Sequence, residues 1–219
     1  MKKYNVCILG LIFLSACVKG QNNSQDNAFA SLPAPKSNEQ LATFAGGCFW
    51  SLAEGLSELK GVTRVVAGYS GGHVKWPSYE QVCADHTGHA ESVEVYYDPK
   101  VVSYADLAES FFYAHDPTTL NRQGPDEGED YCSAAFYRTP EEQKILKSVI
   151  AKVNASHHYK HPIVTQVLPF KVLYPAEKYH QDYFRLHPDD SYIQNVSMPK
   201  VMKLRENRTA YLKPEFKHK

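Results

Sequence analysis

Two adjacent glycines, Gly46 and Gly47, separate two opposed patterns and set a cysteine at the junction. Before them, Leu41-Ala42-Thr43-Phe44-Ala45 reads as a short strand. After them, Leu52, Leu56 and Leu59 recur at helical spacing, and Gly61 supplies a stop. Glycine allows the sharp turn and a close approach of backbone to ligand. The stretch is therefore strand, tight turn and helix, with Cys48 in the first turn of the helix. Unpaired N–H groups and the positive end of the helix dipole favour an anion there. That placement is expected to lower the thiol pKa and yield a nucleophilic thiolate. Phe49 and Trp50 set two large aromatics beside the sulfur, wide enough to grip a small apolar group. A buried structural cysteine fits the same pentapeptide equally well, since unpaired Cys is among the most buried residue types.

The length of 219 residues predicts one domain with extensions. The formal charge of zero offers no basis for nucleic-acid binding. Lys2 and Lys3 precede an apolar run from Val6 to Leu14, too short to span a bilayer as a mature helix. The run ends in Leu14-Ser15-Ala16-Cys17, which resembles the lipobox of bacterial lipoproteins. The resemblance implies a signal peptide over residues 1–16 and a diacylated Cys17 as mature N-terminus. An ordinary secretory signal with an unrelated cysteine is the alternative, and both export the protein. Residues 17–40 are rich in Asn, Gln, Ser and Pro and are expected to form a flexible, lipid-anchored tether. The folded domain is expected over residues 41–219. The predicted location is the periplasmic or extracellular face of a membrane. With Cys17 lipidated, Cys48, Cys83 and Cys132 remain; three thiols in an oxidising compartment cannot all pair.

Val62 to Tyr69 reads as a strand that ends in the loop signal Ser70-Gly71-Gly72. His73 to Gly88 reads as a loop with one short helical turn. Ser92 to Tyr97 is an alternating strand, with Glu91, Val93, Val95 and Tyr97 on one face, the one expected to be buried. A carboxyl at the mouth of that face loses water, its pKa rises, and it can serve as a general acid. A frayed, solvated strand end is the competing reading of Glu91. Ser103 caps a helix carrying Leu107, Phe111 and Ala114, and Asn121 to Tyr131 is a polar loop. Ser133 to Tyr137 is a strand, and Thr139-Pro140-Glu141-Glu142 opens a further helix. His157, His158 and His161 lack acidic or thiol partners at ligand spacing, so no metal is expected. Ile163 to Val172 is read as a strand region and Pro175 to Leu186 as a helix; the tail beyond Met198 is basic and cysteine-free. Irregular alternation with long loops predicts an α+β two-layer domain rather than a doubly wound sheet.

Seven segments then stand in one order: Gly46-Gly47-Cys48-Phe49-Trp50, Gly68-Tyr69-Ser70-Gly71-Gly72, Pro77-Ser78-Tyr79, Thr87-Gly88-His89-Ala90-Glu91, His115-Asp116-Pro117, Arg122-Gln123-Gly124 with Asp126, and Ala176-Glu177-Lys178-Tyr179-His180-Gln181. The chain from Phe44 to about Tyr192 resembles the A-type peptide methionine sulfoxide reductases. The resemblance implies a ferredoxin-like core with a mixed sheet, no metal and no bound organic cofactor. It implies thiol-dependent reduction of methionine (S)-sulfoxide, free or in oxidised proteins, as a repair activity. Cys48 is then the nucleophile and Glu91 the acid that protonates the sulfoxide oxygen. Tyr79 and Tyr131 hydrogen-bond that oxygen, and Phe49 and Trp50 enclose the methyl group. Asp126 orients the substrate backbone and supports the tyrosines, and Gly88 and His89 join the substrate-binding set.

Two departures bear on recycling. The family usually reads Tyr-Arg-Ser where this chain has Tyr131-Cys132-Ser133, and many members carry tail cysteines that are missing here. A sulfenic acid on Cys48 must meet a thiol. The reading leans to an external one, a thioredoxin-like protein or a small thiol, with Cys83 and Cys132 as internal candidates. The protein is expected to act as a monomer. The competing classes are a Cys–His acyl transferase using His86 or His89 as base, and a non-catalytic module that binds methionine or its sulfoxide.

Overall fold

The computed structural model describes residues 28–84 and 86–217; the leader and Cys17 lie outside them. Strand β1 (Gln40–Gly46) runs into helix α1 (Phe49–Ser57), followed by β2 (Val62–Ser70), α2 (Tyr79–Cys83), β3 (Ala90–Tyr97) and α3 (Tyr104–Ala114). A two-stranded ribbon, β4 (Arg122–Gln123) and β5 (Asp126–Glu127), leads through a 3-10 turn (Glu129–Tyr131) to β6 (Ser133–Tyr137) and α4 (Pro140–Ala155). Then come β7 (Gln166–Pro169), β8 (Leu173–Pro175), α5 (Tyr183–Leu186) and α6 (Met198–Arg208). The main sheet has the order β7-β6-β1-β3-β2-β8, with β6 and β7 parallel and the other pairs antiparallel. It is the mixed-sheet α+β fold that the resemblance implies.

The core lies where α1 and α3 cover the central strands. Phe44 of β1 stacks on Phe111 of α3 with ring centroids 4.6 Å apart, and Leu52, Leu56, Leu107 and Phe112 are buried around them. A smaller cluster of Ala45, Ala90, Ala134 and Phe136 also forms, with Cys132 and Leu168 packed against it. Strand β3 is buried along its whole length, not on the valine face alone. Its polar positions are paired: Arg138 bonds both Glu94 oxygens at 2.9 Å, and the Tyr96 hydroxyl donates to the Pro33 carbonyl at 2.6 Å.

Three expectations change. Residues 28–40 are docked on the domain rather than free: the Ala30 amide donates to the Ala176 carbonyl and the Lys178 amide to that of Ala28, each at 2.9 Å. Polar composition concealed this because the contacts are main-chain bonds, indifferent to side-chain type. Pro175 to Leu186 is not one helix but a strand end, a 3-10 turn (Lys178–His180) and the short α5. Gln181 breaks it, spending its side-chain amide on both backbone groups of Ala67, and Asp182 follows with φ 56°. The strand within 163–172 is confined to Gln166–Pro169. The basic tail forms α6, with Val201 and Leu204 buried and Arg205 bonded to Glu58 at 2.7 Å. The spacing of Val201, Leu204 and Arg208, just after Pro199, is the signal that could have found it.

Candidate active site

Neither glycine of the opening turn can be replaced by a larger residue without displacing a neighbour. A Cβ on Gly46 would lie 2.9 Å from His115 Cγ; on Gly47, which has φ +79°, it would lie 2.5 Å from Gln123 Cγ. The turn delivers Cys48 as the N-cap of α1, only 4% exposed. The first free amide of the helix, that of Phe49, donates to Glu91 Oε2 at 2.9 Å. Glu91 is therefore no frayed end: it pairs with Tyr69 of β2 and is 2% exposed. Burial pushes its carboxyl up to about 8, the Asp130 and Asp126 charges add to this, and the Phe49 amide and Lys200 oppose it. At neutral pH it is largely a protonated acid.

The Cys48 thiol departs from expectation. Burial, followed by the Glu91 charge, pushes its pKa up, and the Trp50 amide, the Tyr192 hydroxyl and Lys200 recover only part of this. The helix terminus cannot prevail because its leading amide is spent on Glu91 and the sulfur has lost its water. In the resting site Cys48 is a thiol.

Two phenols face the acid. Burial, reinforced by the Glu91 charge, raises Tyr79 and Tyr131 and keeps both protonated, hence donors. Glu177 accepts from the Tyr79 amide at 3.0 Å and from the Tyr69 hydroxyl at 2.9 Å, fixing α2 against β2. The aromatic wall is deeper than Phe49 and Trp50 alone. Trp50 stacks on Tyr183 at 3.9 Å and donates through Nε1 to His180 Nδ1 at 3.2 Å. Phe49 is fully buried, 4.9 Å from the His180 ring. His180 is held neutral, its pKa lowered by burial to about 4.

The other named residues divide. Asp126 accepts from Tyr192 at 2.6 Å and pairs with Lys200 at 3.3 Å; its support goes to Tyr192, beyond the segments that carried the resemblance. His89 is held by the protein's own backbone. Its Nδ1 accepts from the Gly72 amide at 3.2 Å and its Nε2 bonds the Val74 carbonyl at 2.7 Å, so the ring is consumed in holding that loop. Gly88 lines a different cavity, of about 240 Å³, together with Cys132, Gly71 and Gln166. Cys83 is exposed and its thiol meets the Tyr79 phenol, whereas Cys132 sits 3.7 Å from Gln166 Oε1. The sequence reading missed Tyr183, His180, Glu177, Tyr192 and Lys200. His180 and Glu177 lay in a quoted segment, but nothing local shows which strand a loop side chain meets.

A buried thiol, a carboxyl held largely protonated and an aromatic wall together make a site suited to thiol chemistry on a small, uncharged group. Comparison with known proteins gives the family. The model described as peptide methionine sulfoxide reductase matches residues 40–212. The chain is 47% identical over 176 residues to the peptide methionine sulfoxide reductase MsrA of Thermus thermophilus, covering 80% of this chain and 99% of that one. It is 48% identical over 166 residues to that of Chromobacterium violaceum, covering 76% and 94%. Among solved structures it is similar to reduced Mxr1 from Saccharomyces cerevisiae (TM-score 0.68, 32% identity, 73% of this chain and 92% of that one). It is also similar to methionine sulfoxide reductase A of Corynebacterium diphtheriae (TM-score 0.62, 28% identity, 74% and 89%). The chain belongs to the peptide methionine sulfoxide reductase family. It is an oxidoreductase that reduces methionine sulfoxide by a thiol-dependent route and so serves protein repair.

Proposed function

We propose that Cys48 performs the reduction with Glu91 as its acid. The observation that carries this is the 2.9 Å bond from the Phe49 amide to Glu91, which holds a protonated carboxyl beside the nucleophile's own turn. The methyl group of the sulfoxide lies against Trp50 over Phe49, and its oxygen takes hydrogen bonds from Tyr79, Tyr131 and Glu91. Proton transfer from Glu91 to that oxygen makes the sulfur electrophilic; the Cys48 thiol attacks and its proton returns to the Glu91 carboxylate. Oxygen passes to Cys48, leaving methionine and a sulfenic acid.

An external thiol then condenses with the sulfenic acid, releasing water, and a second thiol reduces the mixed disulfide. A thioredoxin-like protein or a small thiol fits that role. Of the two internal candidates, Cys83 stands on the side of the site, against Tyr79, whereas Cys132 packs with Ala45, Ala90 and Ala134. The exported, lipid-anchored form is a reading of residues 1–17 of the sequence. Mass measurement after incubation with methionine sulfoxide tests the mechanism. Wild-type protein should gain one oxygen, or form a disulfide, in step with methionine release, and Cys48→Ser should do neither. Methionine release by that variant would sink the mechanism. An acyl adduct with ester substrates would favour the transferase class, although His89 has no ring nitrogen to spare for it.

A further inference from the structure

Tyr192 stands where the tail meets the catalytic turn, and the steps above do not use it. Its hydroxyl donates to Asp126 Oδ2 at 2.6 Å, and it is close enough to the Cys48 thiol for each to act on the other. Its ring meets Trp50 edge-on, with centroids 5.8 Å apart. Lys200 holds Asp126 from the other side: its Nζ is 3.3 Å from Oδ2 and 3.4 Å from the Gln123 carbonyl. The two side chains of this ion pair are 16% and 9% exposed, so salt screens it weakly. Gln123 is also the residue whose side chain fills the space over Gly47. One lysine thus ties α6 to the β4–β5 ribbon and to the loop over the Cys48 turn. Val201 and Leu204, fully buried, leave α6 little freedom to retreat.

A phenol has one proton to donate. While Cys48 is a thiol, the Asp126 carboxylate is the stronger acceptor and holds that proton. As the sulfur gives up its proton to become the attacking thiolate, it becomes a competing acceptor, and Lys200 has already offset the charge on Asp126. Resting on the assignment of Cys48 as nucleophile, we propose that Tyr192 is a further catalytic residue, donating a hydrogen bond to the Cys48 sulfur as it ionises, with Asp126 and Lys200 as positioning residues that aim its hydroxyl. Burial, with the Cys48 and Asp126 charges, keeps the phenol protonated, so it acts as a donor and not as an acid. The other charged or titratable groups acting on the thiol are Glu91, Tyr131 and Lys200, with Asp126 and Asp130 around them. Glu91 opposes ionisation once it is itself charged, so a donor that lacks negative charge has a distinct task.

The test is the pH dependence of Cys48 alkylation by iodoacetamide, followed by peptide mass mapping, alongside single-turnover sulfoxide reduction. Tyr192→Phe should slow alkylation at a fixed pH by roughly ten- to hundredfold, the loss of thiolate that one missing hydrogen bond to a charged sulfur brings. The single-turnover rate should fall by about the same factor. Lys200→Met should shift both in the same direction, and Lys200→Arg should restore most of the loss. Wild-type profiles in a folded Tyr192→Phe protein overturn the proposal. Lys200→Met keeps the Tyr192 ring, so an unchanged alkylation rate there overturns the positioning role even if the tyrosine variant does not fold. Alkylation reads the thiolate without sulfoxide, so failure of this proposal and failure of the Cys48 mechanism give different results.

Discussion

Phe49 and Glu91 are joined by a hydrogen bond, amide to Oε2 at 2.9 Å, that spans 42 positions of the chain. The antiparallel pairing of β1 with β3 brings it about: Ala45 lies opposite Ser92, so the chain leaving the Gly46-Gly47 turn arrives beside Glu91. The bond stabilises the carboxylate, yet burial outweighs it and the carboxyl stays protonated up to about pH 8. One amide thus positions an acid without making it a permanent anion.

Glu91→Gln keeps that hydrogen bond and removes the transferable proton. Single-turnover reduction should fall by roughly 10²-fold or more. In the wild type the rate should decline as pH rises through about 8, where Glu91 loses its proton. The variant should lack this limb in stopped-flow measurements across pH, and an unchanged rate constant would refute the assignment.

Recycling predicts the behaviour of the remaining thiols. Cys83→Ser and Cys132→Ser, alone or together, should turn over with a chemical thiol as donor. After one turnover without donor, wild-type Cys48 should be trapped by dimedone as a sulfenic acid. An intramolecular disulfide containing Cys48, lost in one of those variants, would identify that cysteine as the resolver; contact with the Tyr79 phenol favours Cys83 in that event.

His115 is 2% exposed and bonds the Phe111 carbonyl through Nδ1 and the Ser133 hydroxyl through Nε2, at 2.8 and 2.7 Å. Burial lowers its pKa to about 4. The folded state keeps it neutral while the unfolded chain gains a proton near pH 6.5, so stability drains away from about pH 6.5 down to 4. Glu91 and Glu54, raised to about 8 and about 7, pull the opposite way over part of that range, so the readout is a difference. In urea titrations the stability of wild type relative to His115→Gln should fall by up to about 3 kcal/mol between pH 6.5 and 4. A constant difference would contradict this.

If Cys17 carries the proposed lipid, Cys17→Ala should leave the domain and its activity intact while releasing the protein from membranes, because every residue of the site lies between Cys48 and Lys200. Fractionation of cells expressing both forms checks it; wild-type protein wholly in the soluble fraction rules out lipidation.

The local chain alone determined the strand, the double-glycine turn and the helix that carry Cys48, since each rests on short-range sterics and apolar spacing. The caps at Ser103 and Thr139 were legible for the same reason: each hydroxyl accepts from an amide three residues on. Strand alternation offered Glu91 as an acid, and the resemblance placed it with Tyr79, Tyr131 and Asp126 as partners of Cys48, which no spacing could reveal. Only the tertiary structure decided their electrostatics. The thiol is raised and not lowered because burial and a carboxyl from β3 outweigh the helix end. Both ring nitrogens of His89 hold a loop because Gly72 and Val74 fold back onto them. Tyr192 and Lys200 reach the site because the tail packs as α6 against α1 and α3. Those contacts join residues far apart in the chain, and their energies depend on what else is buried there, which is a property of the packed fold and of no local segment.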